Sequence, residues 1–209
     1  MERYELPPER LERWLRRWAE RHGPVSRTKV DPARVTFVGA GGIVVCEPPF
    51  PPLAVAGSGT GFELGPLLEH VRRERVVGVL LVRLGGHAAG VFEGRRLVAS
   101  KTGARNVHGR HRAGGSSQRR FERRRAGQAR VALEAAADVA AGVLLAHDLE
   151  AVVTGGDRRA IATVLDDPRL RRLAPLVVER VLDVPDPRLA VLRGTPDAFL
   201  ATVVSLPAR

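Results

Sequence analysis

Apolar positions in the first quarter of the chain change period several times. Leu11, Trp14, Leu15 and Trp18 recur at helical spacing within residues 8–22, and Gly23-Pro24 interrupts the run. This pattern predicts a helix that docks by its tryptophan face. "VTFVGAGGIVVCEPPFPP" (35–52) follows, with a glycine cluster that superficially fits a dinucleotide-binding turn. That turn requires a helix after the glycines. Here Ile43, Val44, Val45 and Cys46 follow instead, an extended β-branched run, so the segment reads as a hairpin. "GSGTG" (57–61) has no P-loop lysine after it and reads as a loop.

The middle of the chain is more regular. Residues 65–74 read as a short helix, and three strands are expected at about 76–83, 87–92 and 95–101. Gly85-Gly86 and Glu93-Gly94 supply the turns of this meander. Residues 102–117 have no apolar periodicity and read as a long loop, a length usually tied to function. A long helix is expected over about 117–147, capped by Ser116 or Ser117, with Phe121, Ala129, Leu133, Ala136, Ala140, Val143 and Leu144 on one face. A strand at 149–154, a helix to about Leu165, a turn near 168–173 and two mixed segments complete the pattern. The order implies an α/β or α+β fold with a mixed sheet.

Composition narrows the function classes. Aromatic residues make up 4% of the chain, so the core is built from Val, Leu, Ala and Ile. A single cysteine, Cys46, allows no internal disulfide and fits a reducing cytoplasm. The N-terminus is charged throughout and lacks the apolar region of a signal peptide. No long apolar run is present, so no membrane association is expected.

The net charge of +11 is concentrated. Residues 101–130 hold ten basic groups: Lys101, Arg105, Arg110, Arg112, Arg119, Arg120, Arg123, Arg124, Arg125 and Arg130. Glu122 is their one acid, so this stretch carries +9 and the remainder of the chain +2. Local charge of this kind is the footprint of a polyphosphate partner. Cations in the first turns of a helix also oppose the macrodipole, a local conflict expected at a functional site.

"GRHRAGGSSQRRFERRR" (109–125) resembles the catalytic loop in the middle domain of eukaryotic and archaeal class-1 release factors. In those proteins a basic glycine loop ends in Gly-Gly-Gln, followed by an Arg-Phe pair and further arginines at the start of a long helix. Here Arg120-Phe121 and Arg123-Arg124-Arg125 match that tail. Gly114-Gly115 is separated from Gln118 by Ser116-Ser117, giving the G-x-x-Q spacing of the Vms-like release factors, in their bacterial branch. "VVTGGDRRAIATVLDDPRL" also resembles that branch, and the resemblance runs over about residues 30–190.

The resemblance implies an RNase H-like mixed sheet with a projecting loop. It also implies hydrolysis of the peptidyl-tRNA ester in the peptidyl-transferase centre of the large ribosomal subunit. Gly114, Gly115, Ser116, Ser117 and Gln118 would form the catalytic loop. Lys101, Arg105, Arg110, Arg112, Arg119, Arg120, Arg123, Arg124 and Arg125 would contact RNA. The expected organisation is a helical extension over 1–24 and one catalytic domain over 25–209, acting as a monomer. It leaves no second domain to read a stop codon.

Other chemistries fit less well. His108 and His111 lie among cations without an acidic or cysteine partner, so no metal is expected there, and no cofactor elsewhere. Ser116 and Ser117 lack a local base and orienting acid for nucleophilic attack. Asp157, Asp166 and Asp167 read as a strand end and a helix exit rather than a nuclease metal site. DNA is not an expected partner. Two alternatives remain: a non-catalytic ribosome- or RNA-binding factor with the same fold, and a hydrolase of free peptidyl-tRNA.

Overall fold

A computed structural model of the chain describes residues 2–83, 85–104 and 116–207; for residues 116–125 only the helical backbone is described. The elements in chain order begin with β1 (Glu2–Leu6), α1 (Pro8–His22), β2 (Val25–Asp31), β3 (Arg34–Gly39), β4 (Gly42–Glu47), β5 (Gly57–Thr60) and α2 (Gly65–Arg72). They continue with β6 (Val76–Arg83), β7 (Gly86–Glu93), β8 (Arg96–Ala104), α3 (Ser116–Leu144), β9 (Ala151–Gly156) and α4 (Arg158–Leu165). A 3-10 helix (Pro168–Leu176), β10 (Val177–Leu182), α5 (Leu189–Gly194), α6 (Pro196–Phe199) and β11 (Thr202–Leu206) complete the order. These elements form two compact units, residues 1–74 with 196–209, and residues 75–195. The division differs from the boundary expected at residue 24, because α1 and residues 25–74 share one core.

In the first unit a six-stranded sheet runs β1-β11-β4-β3-β2-β5. Strands β3 and β4 form the expected hairpin, pairing from Val35↔Cys46 to Gly39↔Gly42. The extended run after the glycines therefore returns along β3 rather than entering a helix. Leu11, Leu15 and Trp18 of α1 bury against Val35, Phe37, Val44 and Cys46, as the helical spacing predicts. The thiol of Cys46 is pushed well above its ordinary range by burial, so it is an inert core group.

Three strands escape the hydrophobic pattern. The GSGTG segment, expected as a loop, forms β5, because its backbone pairs with β2 from Arg27↔Thr60 to Val30↔Gly57. Its residues bury almost no side chain, so no apolar alternation marks it. Strand β1 buries only Leu6 and is fixed by antiparallel pairing with β11, at the far end of the sequence. Strand β2 is hidden by a buried polar residue. Thr28 is fully buried, and its Oγ1 donates to the Gly61 carbonyl at 2.7 Å and accepts from the Glu63 N–H at 3.0 Å. Those two bonds offset the desolvation of the hydroxyl.

The second unit has a five-stranded sheet in the order β10-β9-β6-β7-β8. Strand β9 is parallel to both β6 and β10, whereas β7 is antiparallel to β6 and β8. Numbered within the unit, the order is 5-4-1-2-3 with the second strand reversed, the RNase H-like mixed sheet that the family resemblance implies. Strands β6 and β7 are buried almost throughout, as their nearly continuous apolar runs require. Leu80, Val82, Ala89 and Val91 pack with Ala136, Ala140, Val143 and Leu144 of α3 and with Ile161 and Val164 of α4. Gly90 admits Leu192 of α5: a Cβ there would lie 2.9 Å from Leu192 Cδ2 and 3.0 Å from Leu97 Cδ1.

Candidate functional site

The candidate site is framed by β8 and α3. Strand β8 extends to Ala104, beyond the expected end, because its backbone stays paired with β7 from Glu93↔Arg96 to Gly86↔Ala104. It is an edge strand of the sheet. The final pair places the exit from β8 beside the turn that joins β6 to β7. His87 and Gly103 are cross-strand partners, and the buried His87 imidazole occupies the space a Cβ at Gly103 would need. Glycine is thus demanded in β8 one residue before the strand ends.

Helix α3 begins at Ser116, so Ser116, Ser117 and Gln118 form its first turn. The helix is about 43 Å long at 1.5 Å per residue. Its fully buried side chains lie between Ala136 and Leu144, and the residues from Ala126 to Arg130 are exposed or half-buried. Gln118 therefore lies about 27 Å along the axis from Ala136, where core packing begins. The backbone N–H groups of the first four helical residues have no acceptor within the helix. No acidic residue occupies this first turn. An anion brought there gains both donors and the positive end of the macrodipole.

The structure brings some of the sequence-selected residues onto described elements. Lys101 lies on β8, exposed, opposite Ala89. Gln118, Arg119, Arg120, Arg123, Arg124 and Arg125 lie on the first three turns of α3, with Arg119 and Arg123, and Arg120 and Arg124, one turn apart. Arg105, His108, Arg110, His111, Arg112, Gly114 and Gly115 lie outside the described residues. Arg130, counted in the basic cluster, lies 3.8 Å from Glu134 in an exposed pair, so part of its charge is answered within α3.

Periodicity gave no hint of a cavity of about 200 Å³ at the same end of the sheet. It is lined by Arg83, Gly85, Gly86 and His87 of the β6–β7 turn region, Ala129, Ala132 and Leu133 of α3, and Asp157 and Arg159. The signal available was the cluster of Arg83, Gly85-Gly86 and His87 at a turn, which is not specific.

The aspartates behave structurally. Asp157 caps α4, accepting from the backbone N–H of Arg159 at 2.8 Å and Ala160 at 3.0 Å. Asp167 caps the 3-10 helix and accepts from the Arg169 N–H at 2.9 Å. The Arg169 guanidinium and backbone N–H hold the Asp167 carboxyl down at about 2. Arg169 also reaches Asp138 of α3 at 2.8 Å, tying the two helical segments. Among the described residues no group of His, Cys, Asp or Glu is arranged to hold a metal ion. Among them, too, no helix is long and apolar enough to cross a membrane.

This chain is similar to several known proteins. "Peptide chain release factor subunit 1" of Methanopyrus kandleri is 32% identical over 133 residues. That match takes in 59% of this chain and 30% of the relative, so the chain spans less than a third of the relative's length. Similar solved structures include an archaeal translation termination factor, aRF1, with TM-score 0.40 and 15% identity over 90% of this chain and 68% of that one. Pelota of Archaeoglobus fulgidus aligns with TM-score 0.36 and 15% identity, over 95% and 63% of the two chains. Residues 75–205 match the family described as Actinobacteria/chloroflexi VLRF1 release factor. The matched span starts at the second unit, later than the residue near 30 from which the loop motif's resemblance runs. Since the match takes in more than half of its residues, this chain belongs to the actinobacterial and chloroflexi VLRF1 release factor family.

Proposed function

We propose that this protein is a peptidyl-tRNA hydrolase that releases nascent chains from stalled ribosomal complexes. One observation carries the reading: in a release-factor family member, the G-x-x-Q glutamine falls in the first turn of a helix anchored far from it. The scissile ester of a stalled complex lies deep in RNA, so the catalytic group must sit at the end of a narrow projection. The first turns of α3, with Gln118 in the first of them, serve as that projection.

In this reading the Gln118 side-chain amide orients the attacking water with its donors and acceptor. Backbone N–H groups of the first turn stabilise the oxyanion that develops on the ester carbonyl. Glutamine is a poor general base, so the water proton is relayed, through the tRNA's terminal ribose hydroxyl or ordered water, to the ribose oxygen that leaves as the ester bond breaks. Lys101, Arg105, Arg110, Arg112, Arg119, Arg120, Arg123, Arg124 and Arg125 hold the surrounding phosphates and fix orientation. The large subunit is the partner and the cytoplasm the compartment. The cationic first turns of α3, unfavourable in the isolated protein, are offset when RNA supplies the anions.

The test is peptide release from labelled peptidyl-tRNA, free and bound to stalled large subunits. Release on the subunits well above release from free substrate is expected. No release from either substrate would leave a binding factor in place of an enzyme. Equal or faster cleavage of free substrate would point to a hydrolase acting away from ribosomes.

A further inference from the structure

The first unit carries its own cationic surface, outside the loop and almost entirely outside the residues that match the family. Arg10, Arg13, Arg17 and Arg21 of α1 are all exposed. At 3.6 residues per turn they fall within an arc of about 80°, along about 16 Å of helix. None of the four forms an ion pair among the described residues. The neighbouring Arg16, by contrast, pairs with Glu12 at 2.8 Å, and Arg72 of α2 reaches Glu12 at 2.6 Å. Glu20 is exposed on one flank of the arc. Two aromatic residues border the other flank. Trp14 is half-buried, and its ring centroid lies 5.5 Å from that of Tyr4, which is 38% exposed. Tyr4 donates to Glu2, two residues away on β1, at 2.7 Å.

We infer that the arginine face of α1, with Tyr4 and Trp14 at its edge, is a second RNA-binding surface. Arginine forks take phosphate oxygens in bidentate fashion and stack on bases. The exposed Tyr4 ring, backed by the half-buried Trp14, adds a platform for an unpaired base. This pairing of cations with aromatic faces distinguishes RNA from an acidic peptide, which needs only the charge. A lipid surface fits poorly. An amphipathic helix binds membranes through its apolar face, and here Leu11, Leu15 and Trp18 are consumed by the core. The inference goes beyond the proposed hydrolase activity and does not depend on Gln118.

The test uses the full chain and a fluorescein-labelled RNA stem-loop, titrated between about 50 and 200 mM salt. Arg10, Arg13, Arg17 and Arg21 are changed together to Gln, and separately to Lys. The Gln variant is expected to bind about tenfold more weakly at the upper salt range. Its slope of log affinity against log salt should fall by about 3, from the loss of four phosphate contacts. The Lys variant should recover most of that slope. Tyr4→Ala should weaken binding about threefold with the slope unchanged. Should the quadruple Gln variant fold poorly by circular dichroism, Arg13→Gln and Arg17→Gln singly should each lower the slope by about 1. An unchanged slope in folded Gln variants would overturn the inference. So would a Lys variant as impaired as the Gln variant, or tighter binding to phosphatidylserine vesicles than to the RNA.

Discussion

Gln118 is legible in the sequence only because of its company. A lone glutamine after a Gly-Gly-Ser-Ser turn is an ordinary polar residue; arginines at 119, 120 and 123–125 make it a candidate. Other residues give no signal until their neighbours are known. Thr28 reads as a surface threonine, yet it is fully buried and holds the chain after β5 through two hydrogen bonds. Thr202 is its opposite: among the described residues, its Oγ1 is the buried side-chain atom without a hydrogen-bond partner. Thr202→Val should therefore stabilise the protein, by about 1 kcal/mol in urea unfolding, since it replaces an unsatisfied hydroxyl with a methyl group. Asp167 allows a test of charge. Its carboxyl is held at about 2 by Arg169, so the stabilisation it confers is present above the ordinary carboxylate range and is lost as pH falls toward 2. A carboxyl-carbon NMR titration should find that midpoint, and Arg169→Ala should return it toward the ordinary aspartate value.

Elements with a strong apolar period were readable. Helix α1, the β3–β4 hairpin, the β6–β8 meander and the long α3 all follow from spacing and turn residues. Elements held by backbone pairing alone were not: β5 is a glycine-rich segment whose strand character comes from its pairing with β2. Helix α3 divides into a buried C-terminal part and an arginine-rich N-terminal part. Leu144 is fully buried in the core of the second unit, so Leu144→Ala should cost about 2–5 kcal/mol in chemical denaturation. Changing Arg123, Arg124 and Arg125 to Gln should leave stability unchanged or slightly higher. The same change should weaken large-subunit binding and lower its salt slope by about 2–3. Asp157→Ala removes the cap of α4 and should cost about 1 kcal/mol without altering that slope.

Across the whole molecule, the second unit is the part the sequence predicted and the family match covers. Its sheet order could be anticipated through resemblance, since strand order is set by contacts distant in sequence. The first unit was the harder part. Its sheet closes by pairing β1 with β11, residues at opposite ends of the chain, so a linear reading leaves α1 as an extension. The central claim concerns chemistry at one point: an amide at the start of α3 acts on an ester held in RNA. Single-turnover peptide release from stalled large subunits, at saturating protein, tests it by comparing wild type with Gln118→Ala. The account predicts a rate lower by about 10², the order of what a misplaced reacting group costs, with subunit affinity unchanged. Equal release rates for the two proteins would contradict it.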